Sequence, residues 1–379
     1  MKVLIISPGK LPVPASCGGA VENLIQQLLD NNEQKCKYDF TIVSVYEKSA
    51  FELSKKYKNT RFIFIECDNL FYKVSRVLRY LINRIPGVYI GNAFIHLFTK
   101  KYNSILNDFD CVIVENSPEY GLKLKHKNMI LHMHNDFLNV NTDMSKKILN
   151  RYSKVFSLSN FISNRIREID KNYNNVFTLY NGIDVNKFER KCDLNIMKKH
   201  DLSKNHFIIL YTGRIVPEKG VLELVKAFNK INNNNFKLVI VGDLFSNKSY
   251  SKKLLLEKNY NDNIVFTGKV SYDDIPKYYS IANVGVVPSI WEEPFALTVI
   301  EHLASGHPIV ITHSGAMPEL VNSRVAVIVE KDKNVVDNIA DGIMSVYNNN
   351  FDKKDLISQA EKFNSNIYCD NFDKYMLGE

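Results

Sequence analysis

Short runs of apolar, β-branched residues recur along the chain with helical stretches between several of them, and this alternation restricts the fold more than any other feature. Val3 to Ile6 reads as a buried strand. After a Pro/Gly-rich loop, Val21, Leu24, Ile25, Leu28 and Leu29 recur at the spacing of one helix face. Further strand-like runs stand at Phe40 to Val45, Phe62 to Ile65, Val112 to Val114, Met129 to Leu131, Val155 to Leu158 and Val176 to Leu179. The pattern restarts at Phe207, followed by Val221, Leu224, Val225 and Phe228 on one helical face, and continues at Lys237 to Val241, Ile264 to Phe266, Val284 to Val287, Ile309 to Ile311 and Val325 to Val329. Such runs suit strands buried on both faces, so the chain is expected to be α/β, with two Rossmann-like doubly wound domains of largely parallel sheet wrapped by helices. The boundary falls in "YNGIDVNKF", giving domains over 1–181 and 182–357. The segment 358–379 reads as a helix that packs back on the first domain.

The length of 379 residues allows two cores, and 45% hydrophobic with 24% charged residues is ordinary for a globular protein. A net charge of +8 suits an acidic small molecule, an anionic membrane surface or weak nucleic-acid contact equally. The basic residues are interspersed with acidic ones and form no nucleic-acid-binding module, so no nucleic-acid partner is expected. Cys17, Cys36, Cys67, Cys111, Cys192 and Cys369 show no C-x-x-C pairing, which argues against a zinc site and a disulfide framework and fits a reducing cytoplasm. The apolar run before Pro8 is too short for a signal peptide, and no run of about eighteen apolar residues offers a membrane span. The expectation is a cytoplasmic protein with room for peripheral membrane contact.

In open α/β sheets ligands bind beyond the carboxyl ends of strands, so the loops after strands are where a site is sought. "SCGGAVEN" puts Gly18 and Gly19 at a helix start, where free N–H groups favour an anion, although a flexible loop end reads the same way. "YTGRIVPEKGV" puts Arg214 and Lys219 around a turn, able to grip a diphosphate or simply to be a solvated charged loop. In "PSIWEEPFALTVIEHLASG", Pro294 suits the first turn of a helix ended by Gly306, with Glu293 in the entry loop and Glu301 two turns along. Eight residues at about 100° each leave the two carboxylates about 80° apart around the helix axis, suited to vicinal hydroxyls of ribose or hexose. Glu292 beside them reads as surface decoration. "LHMHND" sets His132 and His134 on one strand face. "DFD" at Asp108 to Asp110 matches a short metal-binding pattern but precedes a strand, at the end away from the expected site, so no metal is assigned to it. The stretch 71–102 mixes Lys73, Arg76, Arg79, Arg84, Lys100 and Lys101 with apolar residues, as an interfacial helix does and as a sheet-covering helix also does.

Together, Gly18-Gly19, Arg214, Lys219 and the E-x7-E pair Glu293 and Glu301, with "NGIDVNKF", "VGD", "FTGKV" and "SGAMPELV", resemble the retaining family 4 glycosyltransferases (glycosyl transferases group 1) of GT-B fold, in which two domains face across a cleft. The resemblance implies that Arg214 and Lys219 neutralise the diphosphate of a nucleotide-sugar donor, that Glu301 holds the ribose and that Glu293 contacts the transferred sugar. It further implies that amides near Ala296 and Leu297 assist at the phosphates, that backbone around Lys269 and Val270 meets the base, and that Gly18 and Gly19 meet the phosphates. A family histidine near the donor sugar corresponds to His134. Glu115, at a strand end, would orient acceptor or sugar, or is a plain polar strand terminus. Pro294-Phe295-Ala296 stands where the family often has Phe-Gly. No cofactor or metal is implied, because the two cations supply the positive charge. UDP is favoured as the commonest family nucleotide, with a glycan or lipid-linked acceptor, a capsule or other surface polysaccharide as product, and an anionic membrane surface reached through 71–102. The rival readings are a nucleotide-sugar epimerase and a catalytically silent subunit of a glycosylation complex.

Overall fold

The structure is a computed structural model that describes residues 1–68, 70–82, 91–189, 191–259 and 261–378, with Leu70 and Phe71 described in backbone only. Its strands are unbroken apolar runs because both faces are covered: every residue of β4 (Cys111–Glu115) and β5 (Met129–Met133) is buried. These two join β1 (Lys2–Ile6), β2 (Asp39–Val45), β3 (Thr60–Ile65), β6 (Lys154–Ser157) and β7 (Val176–Thr178) in a parallel sheet of order β3-β2-β1-β4-β5-β6-β7. A second parallel sheet contains β8 (Phe207–Thr212), β9 (Phe236–Val241), β10 (Ile264–Gly268), β11 (Val284–Val287), β12 (Ile309–Thr312) and β13 (Ala326–Val329), ordered β10-β9-β8-β11-β12-β13. The fold class expected from the sequence is therefore the one observed, and each apolar run lies in or against one of these strands.

The helix faces read from spacing are also the ones that pack. In Ala20–Lys35, Leu24, Ile25, Leu28 and Leu29 enter the core of the first sheet, and in Val221–Ile231, Val221, Leu224, Val225 and Phe228 enter that of the second. Each sheet reverses its strand order beside its first strand, between β1 and β4 in one and between β8 and β11 in the other. The loops after those strands flank the crevice where α/β sheets hold ligands.

The chain divides into two compact units, Met1–Tyr180 with Tyr368–Glu379, and Asn181–Ile367. The terminal segment is two helices, Lys353–Glu361 and Ser365–Leu377. Residues 358–367 stay with the second unit, where the Gln359 amide donates to the Leu320 carbonyl at 2.9 Å. From Tyr368 onward the chain joins the first: Tyr368, Cys369, Phe372 and Met376 enter its core, and Tyr375 Oη donates to the Thr178 carbonyl at 3.1 Å.

The basic, apolar stretch at 71–102 separates into two helices of different character. Ala93–Tyr102 buries Ala93, Phe94, Ile95 and Phe98 and is a covering helix. Leu70–Ile82 instead exposes Val74, Val77, Leu78 and Leu81, a stripe at i, i+3, i+4 and i+7, while Tyr72 is buried. Arg84 lies outside the described residues. Among the described residues no helix is long and apolar enough to cross a membrane.

Candidate functional site

In the second unit the loops after β8 and β11 meet backbone to backbone. Gly220, with φ 68°, begins the helix Val221–Ile231, and a Cβ there would lie 1.8 Å from the Pro288 carbonyl oxygen. Only glycine permits this approach. The contact is fastened where the Ile290 N–H donates to the Glu218 carbonyl at 3.0 Å. The Lys219 ammonium is thereby carried to Glu293, with Nζ 2.5 Å from Oε1, and lies 5.5 Å from the Trp291 ring centroid. Glu293 is only 2% exposed and also accepts from the Ser289 hydroxyl. Arg214 differs: Tyr211 Oη holds its backbone carbonyl at 2.7 Å, while its guanidinium is exposed, with no hydrogen-bond or ion-pair partner among the described residues. Val270 is half-buried after β10, and Lys269 beside it is exposed.

The loop "SGAMPELV" after β12 explains why Glu293 is so fixed. Gly315, at φ 56°, would bring a Cβ to 2.2 Å from the Glu293 carbonyl oxygen, and the Ala316 N–H donates to that oxygen at 2.8 Å. Glu292 accepts the Gly315 N–H at 2.6 Å and pairs with Lys331 at 2.5 Å, so it braces the same loop. This tie holds residues 293–296 out of the helix. The helix runs over Leu297–Ala304 with Ala296, at φ −121°, as its N-cap, so Pro294 lies ahead of it and Glu301 is just over one turn in. The relation of about 80° assumed one continuous helix and does not apply.

Glu301 is set by a different device. Its Oε2 accepts from Tyr279 Oη at 2.6 Å, and Tyr279 Oη lies 2.6 Å from the Thr212 hydroxyl. A phenol has one proton, so Thr212 must donate to Tyr279, which donates to Glu301. Oε1 has no hydrogen-bond donor among the described residues and is the oxygen left for a ligand. Burial raises the Glu301 carboxyl above its ordinary value, against the lowering by the Tyr279 hydrogen bond. His302 is fully buried, pushed well below its ordinary value by burial and so neutral. Its ring lies edge-on to Tyr279, with centroids 4.6 Å apart, and against Gly285, where a Cβ would come within 2.4 Å. It wedges Tyr279 in place.

In the first unit Gly18 and Gly19 have φ 73° and 106° and lead into Ala20–Lys35, with Gly19 as N-cap. A residue that sequence reading passed over sits there: the buried Glu22, whose Oε2 would lie 2.2 Å from a Cβ on Gly19. Its place in a helix first turn, favourable for a carboxylate, was the available signal. Burial raises its carboxyl. Glu22 lines a cavity of about 1200 Å³ together with Lys10, Gly19, Asn116, Glu119 and Phe137.

Glu115 closes β4 and is paired in register with His132 of β5. Its Oε2 lies 2.7 Å from His134 Nε2 and 3.2 Å from His132 Nδ1. Burial alone would raise this carboxyl, but the two histidines outweigh it and lower it to about 2. Glu115 is 0% exposed, so it offers no surface to an acceptor or sugar, and that expected role gives way to a buried one. The three residues bring ligand atoms within 4.8 Å of one another, a spacing that could hold a metal. At metal–ligand distances of about 2.1 Å, however, atoms 2.7 Å apart subtend only about 80°, too narrow for tetrahedral coordination, and the contact is a hydrogen bond's. Asp110 of the "DFD" sequence accepts the Lys2 N–H at 2.8 Å at the amino end of the sheet, away from these loops.

Comparison with known proteins bears on the family and the fold. Residues 193–363 match the model of the family described as glycosyl transferases group 1. The chain is 26% identical to YtcC of Bacillus subtilis, provisionally named a glycosyltransferase, over 347 residues, covering 86% of this chain and 78% of that protein. It is 26% identical over 224 residues to the lipopolysaccharide 1,2-N-acetylglucosaminetransferase of Salmonella typhimurium, covering 55% of this chain and 56% of the relative. Among solved structures, Anabaena Alr3699/HepE in complex with UDP and glucose superposes with a TM-score of 0.74 at 15% identity over 100% of both chains, which establishes a shared GT-B fold.

Proposed function

From the premise that the chain is a glycosyltransferase carrying a group 1 domain over residues 193–363, we propose that it transfers a hexose or N-acetylhexosamine from a UDP-linked donor, with retention of configuration, to a glycan or lipid-linked acceptor in surface polysaccharide biosynthesis. The observation that carries this reading is the Thr212–Tyr279–Glu301 chain beside the Arg214 and Lys219 loop. A carboxylate with one oxygen tied back and one open suits a ribose diol, and two cations at the same strand ends suit a diphosphate. The cation–carboxylate pairing of Lys219 with Glu293 keeps both charges compensated before the donor arrives. A diphosphate then draws on the ammonium while Glu293 turns its acceptor capacity to the sugar hydroxyls.

In this reading Arg214 and Lys219 stabilise the charge that develops on the leaving diphosphate, which itself takes the acceptor hydroxyl proton on the same face. The two cations do the work that a metal would otherwise do, so transfer proceeds without one. Backbone amides at Ala296 and Leu297 assist at the phosphates, Val270 meets the base, and Gly18 and Gly19 present N–H groups to phosphate oxygens. His134 contacts the transferred sugar. The acceptor enters the cavity beside Glu22, and the apolar stripe of Leu70–Ile82, flanked by Lys73 and Arg76, rests on the anionic cytoplasmic face of a membrane. The test is a panel of sugar nucleotides scored by thermal shift, then by turnover with and without acceptor. A UDP-sugar should raise the melting temperature, because a ligand bound only by the folded state stabilises it. No stabilisation by any sugar nucleotide, or conversion of the sugar without an acceptor, would overturn the reading.

A further inference from the structure

We propose that Glu22, Asn116 and Phe137 form a site for an uncharged saccharide, so that the acceptor of this chain presents a neutral sugar unit rather than an anionic one. The inference rests on the reading that the acceptor enters the cavity beside Glu22. At about 1200 Å³ that cavity exceeds the roughly 300–1000 Å³ of ordinary small-molecule sites, and these three residues follow β1, β4 and β5, at the strand ends where such sheets hold ligands. Glu22 is 4% exposed, yet its only hydrogen-bond donor among the described residues is its own N–H. Buried carboxylates ordinarily have several donors, and the cavity's occupant is the group left to supply them. A Cβ on Gly19 would lie 2.2 Å from Oε2, so the glycine is what lets the carboxylate stand there.

Asn116 supplies the complementary donor. It takes the left-handed backbone, φ 50°, that asparagine tolerates, and makes two ties: its N–H donates to the His132 carbonyl at 2.8 Å, and its Oδ1 accepts the His134 N–H at 3.0 Å. These ties fix the side-chain amide, whose Nδ2 has no acceptor among the described residues, in the wall of the cavity. An acceptor and a donor lining one cavity match a hydroxyl, which does both, better than a carboxylate or phosphate, which only accepts. Phe137, 54% exposed, contacts no other ring among the described residues and offers a flat surface to the apolar C–H face of a pyranose. Charge favours the same occupant. Burial raises the carboxyls of Glu22 and Glu119, while Lys10 lowers each, so a cation for this acidic pair is already present. An ammonium group would duplicate Lys10, and an anion would meet both glutamates.

Saturation-transfer NMR titrations of the full chain with UDP present, at about pH 8, above the ordinary carboxyl range, test the site. The probes are methyl β-glucoside and methyl β-galactoside, each set against its uronate, which differs only in a carboxylate in place of the hydroxymethyl group. For at least one pair the wild type should bind the neutral member about fivefold or more tightly, the effect of one like charge. Glu22→Gln should close that gap. Asn116→Asp keeps Oδ1 for the His134 N–H but removes the N–H2 donor, and should weaken the neutral glycoside about tenfold. Phe137→Ala, at an exposed position where folding is not at stake, should weaken it about fivefold. Uronates bound as well as their neutral partners, no binding of either neutral glycoside, or three variants that bind like the wild type would overturn the proposal. The donor reading is scored apart. A chain stabilised by a UDP-sugar that binds neither glycoside loses this site alone, whereas glycoside binding with no sugar nucleotide bound keeps the site and removes the transferase reading.

Discussion

A buried carboxylate has a use only if the groups around it leave an oxygen to spare. At Glu301 the Thr212 to Tyr279 chain commits Oε2 and leaves Oε1, whereas at Glu115 the two imidazoles engage both oxygens, His134 on Oε2 and His132 on Oε1, at 0% exposure. The two glutamates thus differ, one with an oxygen left open and the other with both oxygens engaged by neighbouring side chains. Tyr279→Phe removes the donor and leaves the Glu301 carboxylate free to swing. UDP binding should weaken roughly tenfold, in line with about 1.5 kcal/mol for a hydrogen bond to a charged group. Titration calorimetry would measure this, and an unchanged affinity would show that Tyr279 does not set Glu301. The sequence pointed to Arg214, Lys219, Glu293 and Glu301 through motifs at strand ends. It could not point to Tyr279, whose neighbours Thr212 and Glu301 come together only when β8, the helix Ile275–Tyr279 and the helix Leu297–Ala304 pack.

At the scale of elements, the strands were legible because parallel strands covered on both faces must be continuously apolar, and helix faces were legible because burial follows the 3.6-residue repeat. The start of the helix at Leu297 was not. Pro294 is well suited to a first turn, yet the Ala316 N–H bond to the Glu293 carbonyl and the close approach of Gly315 hold the chain extended to Ala296. A tertiary tie overrode a local preference. The stretch 71–102 shows the same limit, since two amphipathic helices of similar composition bury and expose opposite amounts. The backbone contact of Gly220 with Pro288 makes the loops after β8 and β11 one body. Gly220→Ala, strained at φ 68° and clashing with a carbonyl, should cost about 2–3 kcal/mol in urea unfolding and lower activity with it. A loss within about 0.5 kcal/mol, the range of ordinary surface substitutions, would mean that the loops are not locked in this way.

Over the whole molecule, the two parallel sheets carry separate groups, with Arg214, Lys219, Glu293 and Glu301 in Asn181–Ile367 and the histidine pair, Glu22 and its cavity in the other unit. A net charge of +8 says little by itself, but basic residues beside an exposed apolar stripe on Leu70–Ile82 give it a place to act. Lys73→Glu combined with Leu78→Asp, both on exposed positions, should weaken sedimentation with vesicles containing anionic phospholipid by at least about fivefold, at about 1 kcal/mol for the one basic charge removed, and unchanged binding would discard the membrane contact. The central claim is that the loops after β8 and β11 hold a nucleoside diphosphate through Arg214 and Glu301. Titration of UDP into the wild-type chain, Arg214→Ala and Glu301→Ala tests it most directly. The account predicts binding by the wild type and a loss of about tenfold or more in each variant, whereas variants that bind UDP as tightly as the wild type would contradict it.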